Sequence, residues 1–135
     1  MRILLTLAIL SMATTAHAGH LYKEAQYRDA WCTKGRTEVT LHDGSRVDCL
    51  TENYAIEFDF AAKAYEALGQ AIHYARITGT DPAMVLIIEN EKDWKHYRRI
   101  KRTATKRNVK LWYVTPSIFN STRPLTEGNP KEATP

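Results

Sequence analysis

Met84, Val85, Leu86, Ile87 and Ile88 form an unbroken apolar run. With no polar position, the segment has no face to show to water. It reads as a strand buried on both faces, which requires packed elements above and below it. Its neighbours supply them. Residues 61–78 are rich in alanine and leucine and stop at Gly79, a helix terminator. Residues 91–108 form a second, strongly charged helical stretch, and 109–115, with Leu111, Trp112, Tyr113 and Val114, give another strand.

Upstream, residues 21–31 read as a short helix broken by Lys34 and Gly35. Three short strands follow, at 37–41, 46–50 and 54–60, separated by turns at 42–44 and 51–53. The order is helix, three-strand meander, helix, strand, helix, strand. This predicts an α/β fold with a mixed central sheet flanked by helices, its crossovers right-handed. From Pro116 onward the composition of Pro, Ser, Thr, Gly and charge predicts a flexible tail over 116–135. There are no internal repeats, and 19–115 makes one domain.

Residues 1–18 have the pattern of a cleaved secretory signal. Arg2 is followed by an apolar stretch over 3–12, and Ala16 and Ala18 precede Gly19. The stretch is short for a membrane span; an uncleaved anchor is the alternative. A periplasmic or secreted location follows. In that setting Cys32 and Cys49 favour a disulfide from the end of the first helix to the second strand, the alternative being two buried thiols. Neither the cysteines nor the five histidines have zinc-ligand spacing. The formal net charge of +4 falls to +3 without Arg2, too weak by itself to imply a nucleic-acid partner.

The hairpin register can be argued from side chains. A three-residue loop, His42, Asp43 and left-handed Gly44, pairs Thr40 with Arg46, Val39 with Val47 and Glu38 with Asp48. One face then carries Val39, Leu41 and Val47, the other Glu38, Thr40, Arg46 and Asp48. A two-residue loop mixes the faces, and burial of one face selects against that. On the third strand Ile56, Phe58 and Phe60 oppose Ala55, Glu57 and Asp59. If the apolar faces align, Glu38, Asp48, Glu57 and Asp59 converge on one surface. Crowded carboxylates raise one another's pKa, and a divalent cation, Arg46 or Lys63 would relieve them. On the following helix Lys63, Ala67, Gln70 and Tyr74 form one polar stripe, with Ala64, Leu68, Ala71, Ile72 and Ala75 toward the opposite, apolar side. Solvated surface acids and an ordinary helix surface are the plain alternative.

This order of elements and acids resembles the PD-(D/E)xK nuclease superfamily over 21–115. Asp48 matches the second-strand acid, Glu57 the third-strand acid, and Glu38 an earlier acid found in some branches. Gln70 and Tyr74 are similar to the QxxxY motif of RecB-type exonucleases. The stretches around Arg46–Thr51 and Ala55–Ala61 also look like small exported bacterial proteins without an assigned role. The family places lysine where this chain has Asp59; Lys63 is the substitute at hand. The resemblance implies a metal-dependent hydrolase of phosphodiester bonds in nucleic acid, DNA or RNA. Asp48 and Glu57, with Glu38 or Asp59, would hold Mg²⁺ or Mn²⁺, which activates water and polarises the scissile phosphate. Lys63 would orient the water, and Gln70 and Tyr74 would contact phosphate or brace the ligands. A catalytically silent nuclease-fold module that binds anionic polymers of the cell envelope is the second reading, favoured by Asp59.

The charged helix carries Lys95, Arg98, Arg99, Lys101, Arg102, Lys106 and Arg107 around an inward stripe of Trp94, Tyr97, Ile100 and Ala104. With Arg46, the residues Lys95, Arg98, Arg99 and Arg102 are candidates for a phosphate-binding surface. Anionic envelope surfaces would use the same charges, and a solvated helix face is the bland alternative. No organic cofactor is expected.

Overall fold

The computed structural model describes residues 19–120. Five strands form one mixed sheet in chain order: β1 (Arg36–Thr40), β2 (Arg46–Leu50), β3 (Tyr54–Phe60), β4 (Asp81–Ile87) and β5 (Lys110–Val114). β1–β2 and β2–β3 are antiparallel, whereas β3–β4 and β4–β5 are parallel. Helix α1 (Glu24–Trp31) covers one face, where Tyr27 packs with Ile56, Phe58, Val85, Ile87 and Trp112. Helices α2 (Ala64–Thr78) and α3 (Trp94–Lys106) cover the other, where Ala64, Ala71, Ile100 and Ala104 meet Met84, Leu86 and Leu111. The apolar run is therefore the sheet's centre, with Ala83 to Ile88 all buried. The chain is α/β, as the pattern of elements predicts.

Several boundaries differ from the sequence expectations. α1 begins at Glu24 rather than Leu21, because the Leu21 and Tyr22 amides donate to the Glu89 carboxylate instead of entering a helix. β4 starts at Asp81, three residues before the apolar run, with Pro82 tolerated at its beginning. Residues 61–63 and 91–93 are 3₁₀ turns that lead into α2 and α3. Of the expected flexible tail, Pro116–Asn120 is a 3₁₀ helix: Ile118 packs into the α1-side core, and Phe119 meets the rings of Tyr22 and Tyr27. Residues 1–18, where the signal is expected, and 121–135 lie outside the described residues.

The three-residue hairpin loop is present. Val39 pairs with Val47 and Thr40 with Arg46. Gly44 adopts φ +84°, which a side chain would disfavour, and Asp43 Oδ1 accepts from the Ser45 amide and hydroxyl. Cys32 and Cys49 form the expected disulfide, with Cα atoms 6.1 Å apart. Gly35 makes room for it: a Cβ there would lie 2.7 Å and 2.9 Å from the two sulfurs. Disulfides persist in oxidising compartments, which is consistent with export. Among the described residues no helix is long and apolar enough to cross a membrane.

The apolar faces of the hairpin and of β3 do not align as their alternation predicts. Val39, Leu41 and Val47 do not join Ile56 and Phe58. They pack on the α2 side with Ala55, Tyr74 and Ala75, whereas Cys49 packs on the α1 side with Ile56. The alternation flips between Val47 and Cys49. In β1, at the position across from the flip, Glu38 has a left-handed backbone, φ +52°. The outer half of the hairpin thus bends over α2 while its base stays in the sheet, where Cys49 pairs with Ile56 and Leu50 with Ala55. Both strands are interrupted at the same level while the register on either side is unchanged, Thr37 opposite Cys49 and Val39 opposite Val47, so no residue is inserted; sequence periodicity alone does not announce such a kink.

Candidate functional site

The bend opens β2 from β3 at Asp48. There the Asp48 side chain replaces a ladder bond: its Oδ2 accepts the Phe58 amide at 2.8 Å. Glu57 and Asp59 flank Phe58 on β3, and both are buried. Residues 61–63 turn the chain directly into α2, placing Lys63 beside the end of β3, its Nζ 4.0 Å from Asp59 Oδ1. About two and three turns on, Gln70 Nε2 donates to the Tyr74 hydroxyl at 3.3 Å. Of the four carboxylates expected on one surface, Asp48, Glu57 and Asp59 come together, by a bend rather than by flat alignment, and Glu38 does not.

The electrostatics are those of acids short of counter-charge. Burial raises Glu57 most, then the charge of Asp48 and a carboxyl–carboxylate contact with it, together pushing it up to about 9. Asp48 is also raised by burial, tempered by the Phe58 amide, Arg28 and Arg46. Burial raises Asp59, with Lys63 opposing. Glu57 Oε2 is buried and has no hydrogen-bond partner among the described residues. The Tyr74 phenol is raised by burial and then by the Glu57 charge, so the phenol faces the acids. It is itself buried against the hairpin, so the stripe closes at Tyr74 while Lys63 stays exposed. Ile72, expected on the apolar side, is instead 41% exposed.

Two further residues belong here that the sequence reading missed. Glu24, on the first turn of α1, is raised to about 7 by burial and by Asp48 and Asp59. Arg28, one turn along, is buried and binds Asp29 and Glu38, the latter at 2.9 Å. Neither has a local signal, because α1 reaches the cluster only through tertiary packing. Glu38 is accordingly held by Arg28, with Arg46 3.8 Å away, rather than turned to Glu57. Lys95, Arg98, Arg99 and Arg102 are exposed on α3, and none forms an ion pair among the described residues.

The donors are all carboxylate oxygens, which suit a hard divalent cation such as Mg²⁺. The unpartnered Glu57 oxygen and the raised carboxyls fit the same ion. Among the described residues, however, no three acids or histidines are arranged as a ready-made metal cage. No protein-family model, curated protein or solved structure matches the chain.

Proposed function

We propose that this chain is an exported, PD-(D/E)xK-like phosphodiesterase that acts on nucleic acid with Mg²⁺ or Mn²⁺. The observation that carries the reading is the pairing of half-buried Asp48 with buried Glu57 and its unpartnered oxygen, beside Lys63. Burying acids without counter-charge is destabilising, and a site that receives a cation repays it in function. The element order and the Gln70–Tyr74 pair support the same reading.

Asp48 and Glu57 are the residues that would hold the cation, with Asp59 and Glu24 close by. When bound, the ion supplies Lewis acidity at the scissile phosphate. Before it binds, Glu57 keeps a proton that must leave, so binding strengthens as pH rises. Lys63, largely exposed, is free to swing from Asp59 toward a phosphate oxygen or the attacking water, and its charge offsets that of the transition state. Tyr74, fixed by Gln70, braces the cluster from below. The basic outer face of α3 supports an anionic polymer as partner, through Lys95, Arg98, Arg99 and Arg102, with Arg46 on the hairpin.

A second reading has its own support. Asp59 stands where the superfamily has lysine, and the acids are not caged in threes. Both favour a catalytically silent module that binds anionic envelope polymers. Incubating the purified chain with DNA and RNA in Mg²⁺, Mn²⁺ or EDTA separates the two. Metal-dependent cleavage lost in Glu57→Ala supports the enzyme; salt-sensitive binding without cleavage of either polymer supports the module.

A further inference from the structure

Residues 20–22 lie across the ends of β3 and β4, tied to one carboxylate. Glu89 Oε1 accepts the Leu21 amide at 2.9 Å, the Tyr22 amide at 3.3 Å and the Tyr27 hydroxyl at 2.8 Å. Its Oε2 meets His20 Nδ1 at 2.9 Å. The His20 ring lies flat on Phe60, with centroids 3.3 Å apart and planes 12° from parallel. Its side chain is nevertheless 58% exposed, so the other ring face is open. An exposed histidine is ordinarily free to rotate; this one is held as a plane by Glu89 and Phe60.

That plane borders a shallow, open cavity of about 430 Å³ lined by His20, Leu21, Tyr22, Lys23, Gln26 and Phe60. The size falls within the range of small-ligand sites. Lys23 and Gln26 supply donors there. Lys23 has no ion pair among the described residues. Gln26 Oε1 already accepts the Lys23 amide at 2.9 Å, which leaves the Gln26 NH₂ to donate. Flat rings, an aliphatic side chain, one ammonium and one amide donor suit a planar aromatic group rich in acceptors, with an anion attached. The position matters as much as the lining. Phe60 follows Asp59 and Lys23 precedes Glu24, and the charges of these two acids act on each other.

We propose that this cavity is a nucleobase subsite next to the acid cluster, with His20 as its stacking platform, so that the substrate is an unpaired nucleotide in a single strand or frayed end. The proposal rests on the nucleic-acid reading above and narrows it. A paired base inside a duplex has both faces covered by its neighbours and cannot lie on His20, whereas an unpaired base can.

Binding in EDTA tests this apart from catalysis. Fluorescence anisotropy of the purified full chain would compare a short labelled oligothymidylate, an abasic strand with the same phosphates, and a blunt duplex. Stacking of one base predicts about 5- to 150-fold tighter binding of the base-bearing strand than of the abasic one. His20→Ala should bring that ratio close to one. His20→Phe, which keeps a ring over Phe60, should preserve most of it, and Lys23→Ala should weaken both strands alike. Equal affinity for the two strands, no binding of either, or tighter binding of the duplex overturns the proposal. Base-dependent binding without metal-dependent cleavage would sink the catalytic reading and leave the subsite standing; cleavage with no base preference would do the reverse.

Discussion

Replacing Glu57 by Gln probes the electrostatic description of the cluster without disturbing its shape. Glu57 is 6% exposed, and its carboxyl is pushed up to about 9, by burial first and Asp48 second, from an ordinary value of 4.5. A carboxyl raised by folding means that the folded state takes up a proton. The associated stability is complete below the unfolded pKa, near 4.5, and is lost as pH rises toward 9. Across pH 6 to 8 the folded chain keeps the proton and the unfolded chain does not. The slope is then one proton, about 1.4 kcal/mol per pH unit, or about 2–3 kcal/mol over the interval. Glu24, raised to about 7, adds to the fall in the lower half of that range. Glutamine is neutral throughout. Glu57→Gln should therefore escape about 2–3 kcal/mol of the wild-type loss between pH 6 and 8 and become the more stable protein at pH 8. Urea unfolding followed by tryptophan fluorescence, in EDTA at pH 6, 7 and 8, measures both profiles. Parallel profiles, agreeing within about 0.5 kcal/mol across the range, would mean that Glu57 takes up no proton on folding.

Gly35→Ala should destabilise the fold by about 1–3 kcal/mol, read as a lower thermal midpoint, because its Cβ would press on both disulfide sulfurs and on the Leu50 carbonyl, 3.0 Å away. Replacing Cys32 and Cys49 together by Ser should cost about 3 kcal/mol in urea unfolding, as expected for a bridge spanning 17 residues. Lys63→Ala should leave stability within about 0.5 kcal/mol, since Lys63 is exposed and only loosely paired, yet lower any metal-dependent cleavage by about 100-fold or more. Arg99→Glu with Arg102→Glu should flatten the salt dependence of nucleic-acid binding, with the slope of log affinity against log salt falling by about 2.

Much of the architecture was legible because one-dimensional patterns decide it. The apolar run marked the buried central strand, Gly79 stopped α2, with its own φ at +71°, and Asp43 and Gly44 announced the hairpin loop. Register followed from the same logic and agrees with the observed pairs. The bend was not legible. It depends on a left-handed Glu38 held by Arg28 from another element, and glutamate at that position carries no turn signal. Glu57 and Asp59 could be placed together because two residues apart on a strand means one face. Glu24 could not, since only the packing of α1 brings it to them. The start of α1 is hidden from the sequence for a similar reason: Glu89, far along the chain, claims the amides that a longer helix would use.

On the function proposed above, the acid cluster takes up a divalent cation. Titration calorimetry with Mg²⁺ and Mn²⁺ near pH 7, repeated in two buffers of different ionisation enthalpy, tests it directly. The wild-type chain should bind the ion and release about one proton as Glu57 ionises, and Glu57→Gln should lose the proton release and most of the affinity. No binding at millimolar ion, or binding that survives Glu57→Gln unchanged, would contradict the account.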